Sequence, residues 1–183
     1  MNNKPLVFEE VPGLYRIIPL HVLRRTPKVL FHSLPTSLLA AAGAIDRVLH
    51  ESGAMSPGPV GDVARPWYMH IHQDDNLIVL HGKRHVDIYT PAHGKVEHFT
   101  VTPHSVERGG RLAFDGAAML VWPRGVFHRI TSDVVDGSTS LNFAVRYEGF
   151  DIRTNFNIYD LDTETGSYRV IREGHLDQPD CKT

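Results

Sequence analysis

The stretch that decides the fold is Trp67-Tyr68-Met69-His70-Ile71-His72-Gln73-Asp74-Asp75-Asn76-Leu77-Ile78-Val79-Leu80-His81-Gly82. In a β-strand, side chains two residues apart point to the same face, so we expect His70 and His72 to present two imidazoles side by side. Imidazole is a common ligand of Zn, Cu, Fe and Ni, and a divalent ion needs about four donors. The stretch therefore predicts one half of a metal site.

A second stretch, Pro123-Arg124-Gly125-Val126-Phe127-His128, offers the best completion of that site. It reads as a turn followed by the start of a strand, and its last residue is a further histidine. We predict that His128 joins the two histidines of the first stretch as a ligand of the same metal ion.

The first stretch resembles one of the two signatures of the cupin superfamily, which is His-x-His, a short spacer, an acid, six residues and a Gly. Here the signature reads His70-x-His72, two residues, Asp75, six residues and Gly82. The spacer is shorter than the three or four residues that are usual in the family, and Asp75 stands where Glu is usual. The glycine that normally opens the signature is also displaced.

The second stretch resembles the other cupin signature, Pro-x-Gly-x-x-His, and matches its three defined positions with Pro123, Gly125 and His128. The two signatures occur in the family's order, and the resemblance covers roughly residues 60–148. It implies an all-β fold, the double-stranded β-helix or jelly-roll barrel of RmlC-like cupins. It also implies a site in the barrel mouth.

The position of Asp75 depends on the turn that follows His72. If Gln73-Asp74 is a two-residue hairpin loop, His72 pairs with Asp75 and the carboxylate faces the metal. A loop of three residues pairs His72 with Asn76, and a loop of four pairs it with Leu77, so that the carboxylate leaves the site. A site of three histidines and a site that also contains Asp75 both stay open.

The composition is that of an ordinary globular protein. The 183 residues are 42% hydrophobic and 22% charged, with a formal net charge of −2, so the balance gives no indication of nucleic-acid binding. No apolar run is long enough to cross a bilayer, and the start Met1–Pro5 lacks the apolar core of a signal peptide, so we expect a cytoplasmic protein without a membrane partner. The single cysteine, Cys181, excludes an internal disulfide.

Outside the signatures, the pattern predicts many short strands and one helix, which is typical of an all-β barrel or jelly roll. Residues 5–34 contain apolar pieces separated by prolines, which favour edge strands. From Thr36 to about His50, apolar residues recur at helical spacing, so we predict a helix there. The expected organisation is one domain over 1–183, with a cupin core at about 60–148, N-terminal strands and the helix at 5–53, and a C-terminal hairpin at 154–173.

Two further side chains are candidates for a direct role in catalysis. Tyr68 is in phase with His70 and His72, so we expect it to share their pocket. The segment Ser140–Tyr147 alternates, with Arg146 on its polar phase. If that face turns to solvent, Arg146 is an ordinary surface residue; if it turns inward, Arg146 can anchor a carboxylate or phosphate of a substrate.

The main hypothesis is a metal-dependent cupin enzyme that acts on a small polar molecule in the barrel mouth. His70, His72 and His128 would hold a divalent Fe, Mn, Ni or Zn ion, with Asp75 as a further ligand in one of the two arrangements above. Open coordination positions would bind water, dioxygen or substrate. The resemblance implies dioxygenase, decarboxylase or isomerase chemistry.

Two alternatives keep the barrel without the metal. The chain also resembles the cupin-type nucleotide-sugar epimerases and ketoisomerases, in which histidines act as general base and acid on a carbon next to a carbonyl. His70 or His72 would be the base and Tyr68 the acid, but His128 would then have no evident task. The other alternative is a non-catalytic barrel that binds a small ligand.

The expected assembly is a homodimer. Exposed strand edges in a jelly roll can pair with other chains, and pairing them across a two-fold axis is a common solution. The N-terminal strands and the C-terminal hairpin both lie outside the signature region, so we predict that they form the contact.

Overall fold

The computed structural model of the chain describes residues 6–39 and 42–178, so Met1–Pro5 and Cys181 lie outside the described ranges. In chain order, the strands are β1 (Glu9–Val11), β2 (Tyr15–Pro19), β3 (His21–Thr26), β4 (Val29–Ser33), β5 (Ala42–His50), β6 (Met55–Ser56), β7 (Trp67–Met69), β8 (Gln73–Gly82), β9 (Arg84–Tyr89), β10 (Glu97–Val101), β11 (Ser105–Arg108), β12 (Arg111–Asp115), β13 (Ala118–Trp122), β14 (Phe127–Ser132), β15 (Ser138–Arg146), β16 (Ile158–Leu161) and β17 (Tyr168–Arg172). Helical structure in these ranges is limited to one turn of α-helix, α1 (Ile152–Asn155), and two 3-10 turns, Thr36–Leu38 and Gly174–Asp177. None of these described helical turns has the length and hydrophobicity to cross a membrane.

The strands form two large sheets and a separate ribbon. The first sheet has the order β1-β2-β13-β8-β15-β5, and the second has the order β12-β11-β10-β9-β14-β7-β16-β17, with β6 paired to β14. The strand pairs are antiparallel. Neighbours that are distant in sequence, such as β2 with β13, give the long connections of a double-sheet jelly roll. The predicted all-β jelly roll of the cupin type is confirmed.

The core lies between the two sheets and follows the two-residue alternation of the strands. On β8, Leu77 and Val79 point inward, as do Val86 and Ile88 on β9, and these four side chains are at most 3% exposed. Burial of one such side chain stabilises the fold by roughly 1.5–3 kcal/mol. Arg84 lies on the same face of β9, so a charged side chain is buried in line with the apolar ones.

The prediction of a helix from Thr36 to about His50 is wrong. The segment contains a 3-10 turn and then β5, which pairs with β15 over nearly its whole length. Its side chains alternate, so Val48 is partly buried while Ile45 and Leu49 are 64% and 58% exposed. The spacing of Ile45, Val48 and Leu49 suits a helix better than a strand, because a strand turns Ile45 and Val48 to opposite faces. Pairing with β15 decides for the strand, because it supplies the backbone hydrogen bonds of a strand.

Two hairpins lie outside the signature region. β3 and β4 form the separate two-stranded ribbon, whose apolar side chains Val22, Leu23 and Phe31 are exposed. At the other end of the chain, β16 and β17 form the hairpin that was predicted at 154–173. β16 also pairs with β7, so this hairpin extends the second sheet.

Candidate active site

The chain changes sheets between β7 and β8, and this corner positions the first histidine of the site. β7 pairs with β14 and β16 in the second sheet, whereas β8 pairs with β13 and β15 in the first. Residues 70–72 leave regular strand geometry, so His70 and His72 do not share a face. No hairpin loop follows His72 in this described segment, because β8 runs unbroken from Gln73 through Asp75.

Three of the predicted site residues meet in the interior: His70 at the corner, Asp75 on β8 and His128 on β14. Each is at most 4% exposed. The Nε2 atom of His70 lies 3.3 Å from Oδ2 of Asp75, and the Nε2 atom of His128 lies 3.8 Å from the same oxygen. One potential ligand atom from each residue lies within 4.8 Å of the other two.

Backbone carbonyls fix the orientation of both imidazoles. Nδ1 of His70 donates to the carbonyl of Asn155 at 2.6 Å, and Nδ1 of His128 donates to the carbonyl of Val126 at 3.3 Å. A carbonyl oxygen only accepts hydrogen bonds, so each Nδ1 must carry a hydrogen. The Nε2 atom of each ring is therefore the one that faces Asp75.

The carboxylate of Asp75 is held through its other oxygen. Oδ1 accepts hydrogen bonds from Nε2 of Gln73 at 2.8 Å and from Nδ2 of Asn142 at 2.7 Å. Both amides lie on strands that flank the cluster, Gln73 on β8 and Asn142 on β15. Oδ2 consequently remains directed at the two imidazoles, and the carboxylate is fixed in position.

The three groups differ in their proton states. Burial is the largest influence on the pKa of His70 and lowers it, but the charge and hydrogen bond of Asp75 and the carbonyl of Asn155 together raise this pKa by more. Burial is the largest influence on the pKa of Asp75 and raises it, but the charge and hydrogen bond of His70, with His128 and Asn142, together hold this pKa well below its ordinary value. Burial and then the charge of His70 lower the pKa of His128 to about 4. The cluster therefore holds a proton on His70 in preference to His128, beside the carboxylate of Asp75.

His72 lies apart from this cluster, contrary to the expectation from the His-x-His spacing. Its backbone N–H donates to Oδ1 of Asn155 at 3.3 Å, and its carbonyl accepts from the N–H of Tyr147 at 2.9 Å. Its ring packs against Gly149, where an added Cβ would come within 3.0 Å of the imidazole. The sheet corner is the physical reason, because it breaks the strand alternation between the two histidines.

Tyr68 and Arg146 both line the cavity that contains the cluster. The ring centroid of Tyr68 lies 6.2 Å from that of His70 and 6.0 Å from that of His128, and burial raises the pKa of the phenol. The guanidinium carbon of Arg146 lies 4.3 Å from the ring centroid of Phe150. Its buried Nε atom has no hydrogen-bond partner among the described residues. The polar face of β15 thus turns inward, which is the arrangement in which Arg146 can contact a substrate.

The cavity has a volume of about 400 Å³ and contains side chains that the sequence did not single out as site residues. These include Asp46, His50, Gln73, Arg84, Asn142, Ile152 and Phe156. Alternation along β8 and β15 is the signal that could have identified Gln73 and Asn142. Ile152 and Phe156 come from the C-terminal segment, and no local pattern indicates that this segment returns to the site.

The donor set of the cluster fits a divalent metal ion. Two imidazoles and one carboxylate are suitable ligands for Fe, Mn, Ni or Zn. Both Nδ1 atoms donate to backbone carbonyls, which is the outer contact that metal-bound histidines usually make. An ion in this position would be held by His70, Asp75 and His128, rather than by three histidines.

Comparisons with known proteins show a likeness of fold. No family model matches the sequence. No curated protein matches it either. Among solved structures, QdtA, a sugar 3,4-ketoisomerase from Thermoanaerobacterium thermosaccharolyticum in complex with TDP, has a TM-score of 0.53 at 12% identity, over 78% of this chain and 85% of that chain. A variant of QdtA in complex with TDP-4-keto-6-deoxyglucose gives the same values.

Two other solved structures are similar to about the same degree. WlaRB, a TDP-quinovose 3,4-ketoisomerase from Campylobacter jejuni, has a TM-score of 0.51 at 11% identity, over 75% of this chain and 87% of that chain. The RmlC epimerase of Mycobacterium tuberculosis has a TM-score of 0.54 at 13% identity, over 76% of this chain and 67% of that chain. The chain has the RmlC-like cupin fold.

Proposed function

We propose that this chain is an isomerase or epimerase that moves a proton on a carbon next to the carbonyl of a keto sugar. The observation that carries the proposal is the pair of imidazoles, His70 and His128, whose Nε2 atoms face one carboxylate oxygen and whose proton states differ. A base and an acid held side by side are what such a reaction needs.

In the proposed reaction, the neutral Nε2 atom of His128 takes the proton from the carbon next to the carbonyl. The imidazolium of His70 gives its proton to the carbonyl oxygen, so the substrate becomes an enediol. The enediol then loses a hydroxyl proton to His70 and receives the proton held by His128 on the other carbon. Both histidines return to their first states, so the reaction consumes no further reactant.

The neighbouring side chains have supporting roles in this proposal. Asp75 stabilises the imidazolium of His70, and the amides of Gln73 and Asn142 hold the carboxylate in place. The phenol of Tyr68 is protonated at neutral pH, and burial raises its pKa further, so it can donate a hydrogen bond to a sugar oxygen. Arg146 offers its Nε, which has no partner among the described residues, to an oxygen of the same molecule.

The similar structures support the reaction class. Two of them are sugar 3,4-ketoisomerases and one is an epimerase, and all three share the fold of this chain over about three quarters of its length. This support is independent of the proton states. The alternative drawn from the sequence lacked a task for His128, and the proposed role as general base supplies one.

Exchange of carbon-bound hydrogen with solvent tests the proposal. Chelator-treated protein is incubated in D2O with TDP-4-keto-6-deoxyglucose and a panel of other keto sugars, and NMR follows deuterium at the carbon next to the carbonyl. We expect exchange with the wild-type protein and a rate about 10²–10⁴ lower with His128→Asn. His98→Asn changes an exposed histidine that contacts Asp87 and should exchange like the wild type. Absence of exchange across the panel would contradict the proposal.

A specific observation favours a second function, a metal-dependent cupin enzyme. The ligand atoms of His70, Asp75 and His128 all lie within 4.8 Å of one another. When bound, a divalent ion supplies a Lewis acid for a substrate oxygen or, as iron, a place to bind dioxygen. Stoichiometric metal in protein purified without a tag or chelator, lost in Asp75→Ala, supports this function. Exchange that requires added metal would contradict the metal-free proposal.

We also propose that the chain works as a homodimer through the β3–β4 ribbon. The exposed fractions of Val22, Leu23 and Phe31 are 53%, 73% and 43%. A two-stranded ribbon is marginally stable by itself and is stabilised when its apolar face is covered. Light scattering should give twice the mass of one chain, and Leu23→Asp should give the mass of a single chain. A monomeric wild-type protein at micromolar concentration would contradict the dimer.

A further inference from the structure

Arg84 is a buried cation that no carboxylate of residues 6–39 and 42–178 pairs with. Its side chain is 1% exposed, and it donates from Nε to the hydroxyl of Ser138 at 3.0 Å and from Nη2 to the carbonyl of Val48 at 3.1 Å. Both acceptors are neutral. Burial lowers the pKa of Arg84 to about 10, so it stays charged at neutral pH. A buried charge destabilises a fold unless an opposite charge is paired with it.

Arg84 lines the same cavity as the histidine cluster, but at a different level. On the paired strands β9 and β14, Ile88 lies opposite His128, whereas Arg84 lies opposite Ser132. The two levels are separated by about 13 Å along the strands. The cavity therefore extends from the reactive cluster to a buried positive charge.

His50 provides a second polar group beside Arg84. It is the last residue of β5 and lines the cavity, two positions after the Val48 carbonyl that Arg84 contacts. Its buried Nδ1 has no hydrogen-bond partner within 6–39 and 42–178. Burial and then the charge of Arg84 lower the pKa of His50 to about 4, so the neutral ring has one N–H to donate. A positive charge and an unpaired polar nitrogen at one place are complementary to an anion.

We propose that Arg84 and His50 bind an oxyanion of the substrate, a carboxylate or a phosphate group. This inference rests on the function proposed above, because it places the carbonyl of the same molecule at His70 and His128. The substrate is then a small keto compound whose anionic group lies several bonds from the reacting carbon. The guanidinium supplies the charge, and His50 supplies a hydrogen bond that fixes the direction of the group.

A purely structural role for Arg84 predicts a different effect on stability. In such a role, Arg84 would serve to join β9 to β5 and β15 through its two hydrogen bonds. A buried charge held by neutral groups alone often stabilises a fold no better than an apolar side chain of similar volume. If Arg84 serves a ligand, Arg84→Met leaves the Tm of the ligand-free protein equal or higher. If it serves the fold, the Tm falls.

Thermal unfolding tests the site directly. The Tm is measured in rising concentrations of inorganic phosphate or sodium acetate, each against sodium chloride at the same ionic strength. We expect a saturating increase with at least one oxyanion and none with chloride, because a ligand of the folded state stabilises it. An increase with phosphate alone indicates a phosphorylated substrate, and an increase with acetate alone indicates a carboxylate. Arg84→Met should lose the increase, whereas Arg169→Met, at an exposed arginine paired with Asp160, should keep it.

His50→Leu gives a second readout that does not depend on the folding of Arg84→Met. Loss of one hydrogen bond to a charged group should raise the half-saturating anion concentration about tenfold. The inference is overturned if neither oxyanion raises the Tm above the chloride control, or if the increase survives Arg84→Met.

His128→Asn separates this inference from the proposed function. That variant should lose isotope exchange and keep the anion-dependent increase in Tm. A wild-type protein that exchanges hydrogen without any anion effect contradicts the oxyanion site alone. A wild-type protein with the anion effect and no exchange contradicts the proposed reaction alone.

Discussion

The carbonyl oxygen of Asn155 accepts a 2.6 Å hydrogen bond from Nδ1 of His70, a residue 85 positions earlier in the chain. The side chain of Asn155 is 1% exposed and also accepts the N–H of His72, so one residue contacts both histidines of the first stretch. Asn155 ends α1, outside the region that resembles the cupin signatures. The orientation of the His70 ring therefore depends on the C-terminal segment.

Replacement of Asn155 should slow hydrogen exchange, although Asn155 lies outside the region that resembles the cupin signatures. Asn155→Ala removes the acceptor of the His72 N–H, which loosens the carbonyl that orients His70. We expect the exchange rate to fall about tenfold and the free energy of unfolding to fall by about 1–3 kcal/mol, measured by NMR and urea titration. Asn157→Ala is the matched control. Oδ1 of Asn157 accepts a 2.8 Å hydrogen bond from the N–H of Gly174, and Asn157 makes no hydrogen bond to His70 or His72 among the described residues. This variant should lose stability without losing exchange, and equal losses of exchange in both variants would contradict the role of Asn155 in orienting His70.

The charge of Asp75 should be essential for exchange. Asp75→Asn removes the carboxylate that keeps His70 protonated, so we expect the exchange rate to fall about 10²–10⁴-fold, as measured by NMR in D2O. Asp74→Asn is the matched control on the same strand. Asp74 points away from the cluster and accepts from the N–H of Arg124 and the hydroxyl of Tyr147. Its replacement should leave the exchange rate within about twofold of the wild type. A similar rate in Asp75→Asn would refute the assigned role.

His50 should make stability depend on pH in the acid range. Its pKa of about 4 in the folded protein lies below the ordinary 6.5, so the folded state binds the proton more weakly than the unfolded chain. The stabilising contribution is complete above about pH 6.5 and is lost as the pH falls toward 4. Urea unfolding in amine buffers, which contain no oxyanion, should show a shallower decline for His50→Gln than for the wild type. Identical slopes for His50→Gln and the wild type would rule out this contribution.

The glycine of the first signature should tolerate no side chain. Gly82 has a φ of 69°, and an added Cβ would lie 2.0 Å from the carbonyl oxygen of Gly137. Gly82→Ala should therefore lower the free energy of unfolding by about 2–4 kcal/mol in urea titrations. Gly94 has a φ of 68° but has nothing within 4 Å of an added Cβ, so Gly94→Ala should cost about 1 kcal/mol. Equal losses would show that the left-handed backbone, and not the contact with Gly137, is the cause.

Much of the fold and part of the site could be predicted from the sequence. The paired signatures predicted the jelly roll and named His70, Asp75 and His128, which the structure brings together. Hairpin loops of different length after His72 give different positions for Asp75, whereas alternation along a continuous β8 is what turns it inward. The position of His72 could not be predicted, because a sheet corner is set by pairing with distant strands.

Other features depend on contacts that leave no local pattern. The segment that forms β5 carries apolar residues at helical spacing, and pairing with the distant strand β15 makes it a strand instead. The buried charge of Arg84 looks like one polar residue in an alternating strand until the sheets are packed. The backbone carbonyl of Asn155 leaves no signature in the sequence, because every residue carries a backbone carbonyl.

The corner between β7 and β8 has a consequence for how the protein folds. Asp75 belongs to the first sheet, His128 belongs to the second, and His70 stands where the chain passes between them. Neither sheet alone contains the constellation, so a partly folded species with one sheet formed has no competent centre. Recovery of exchange activity during refolding should coincide with docking of the two sheets, which makes the cluster an internal reporter of that last step.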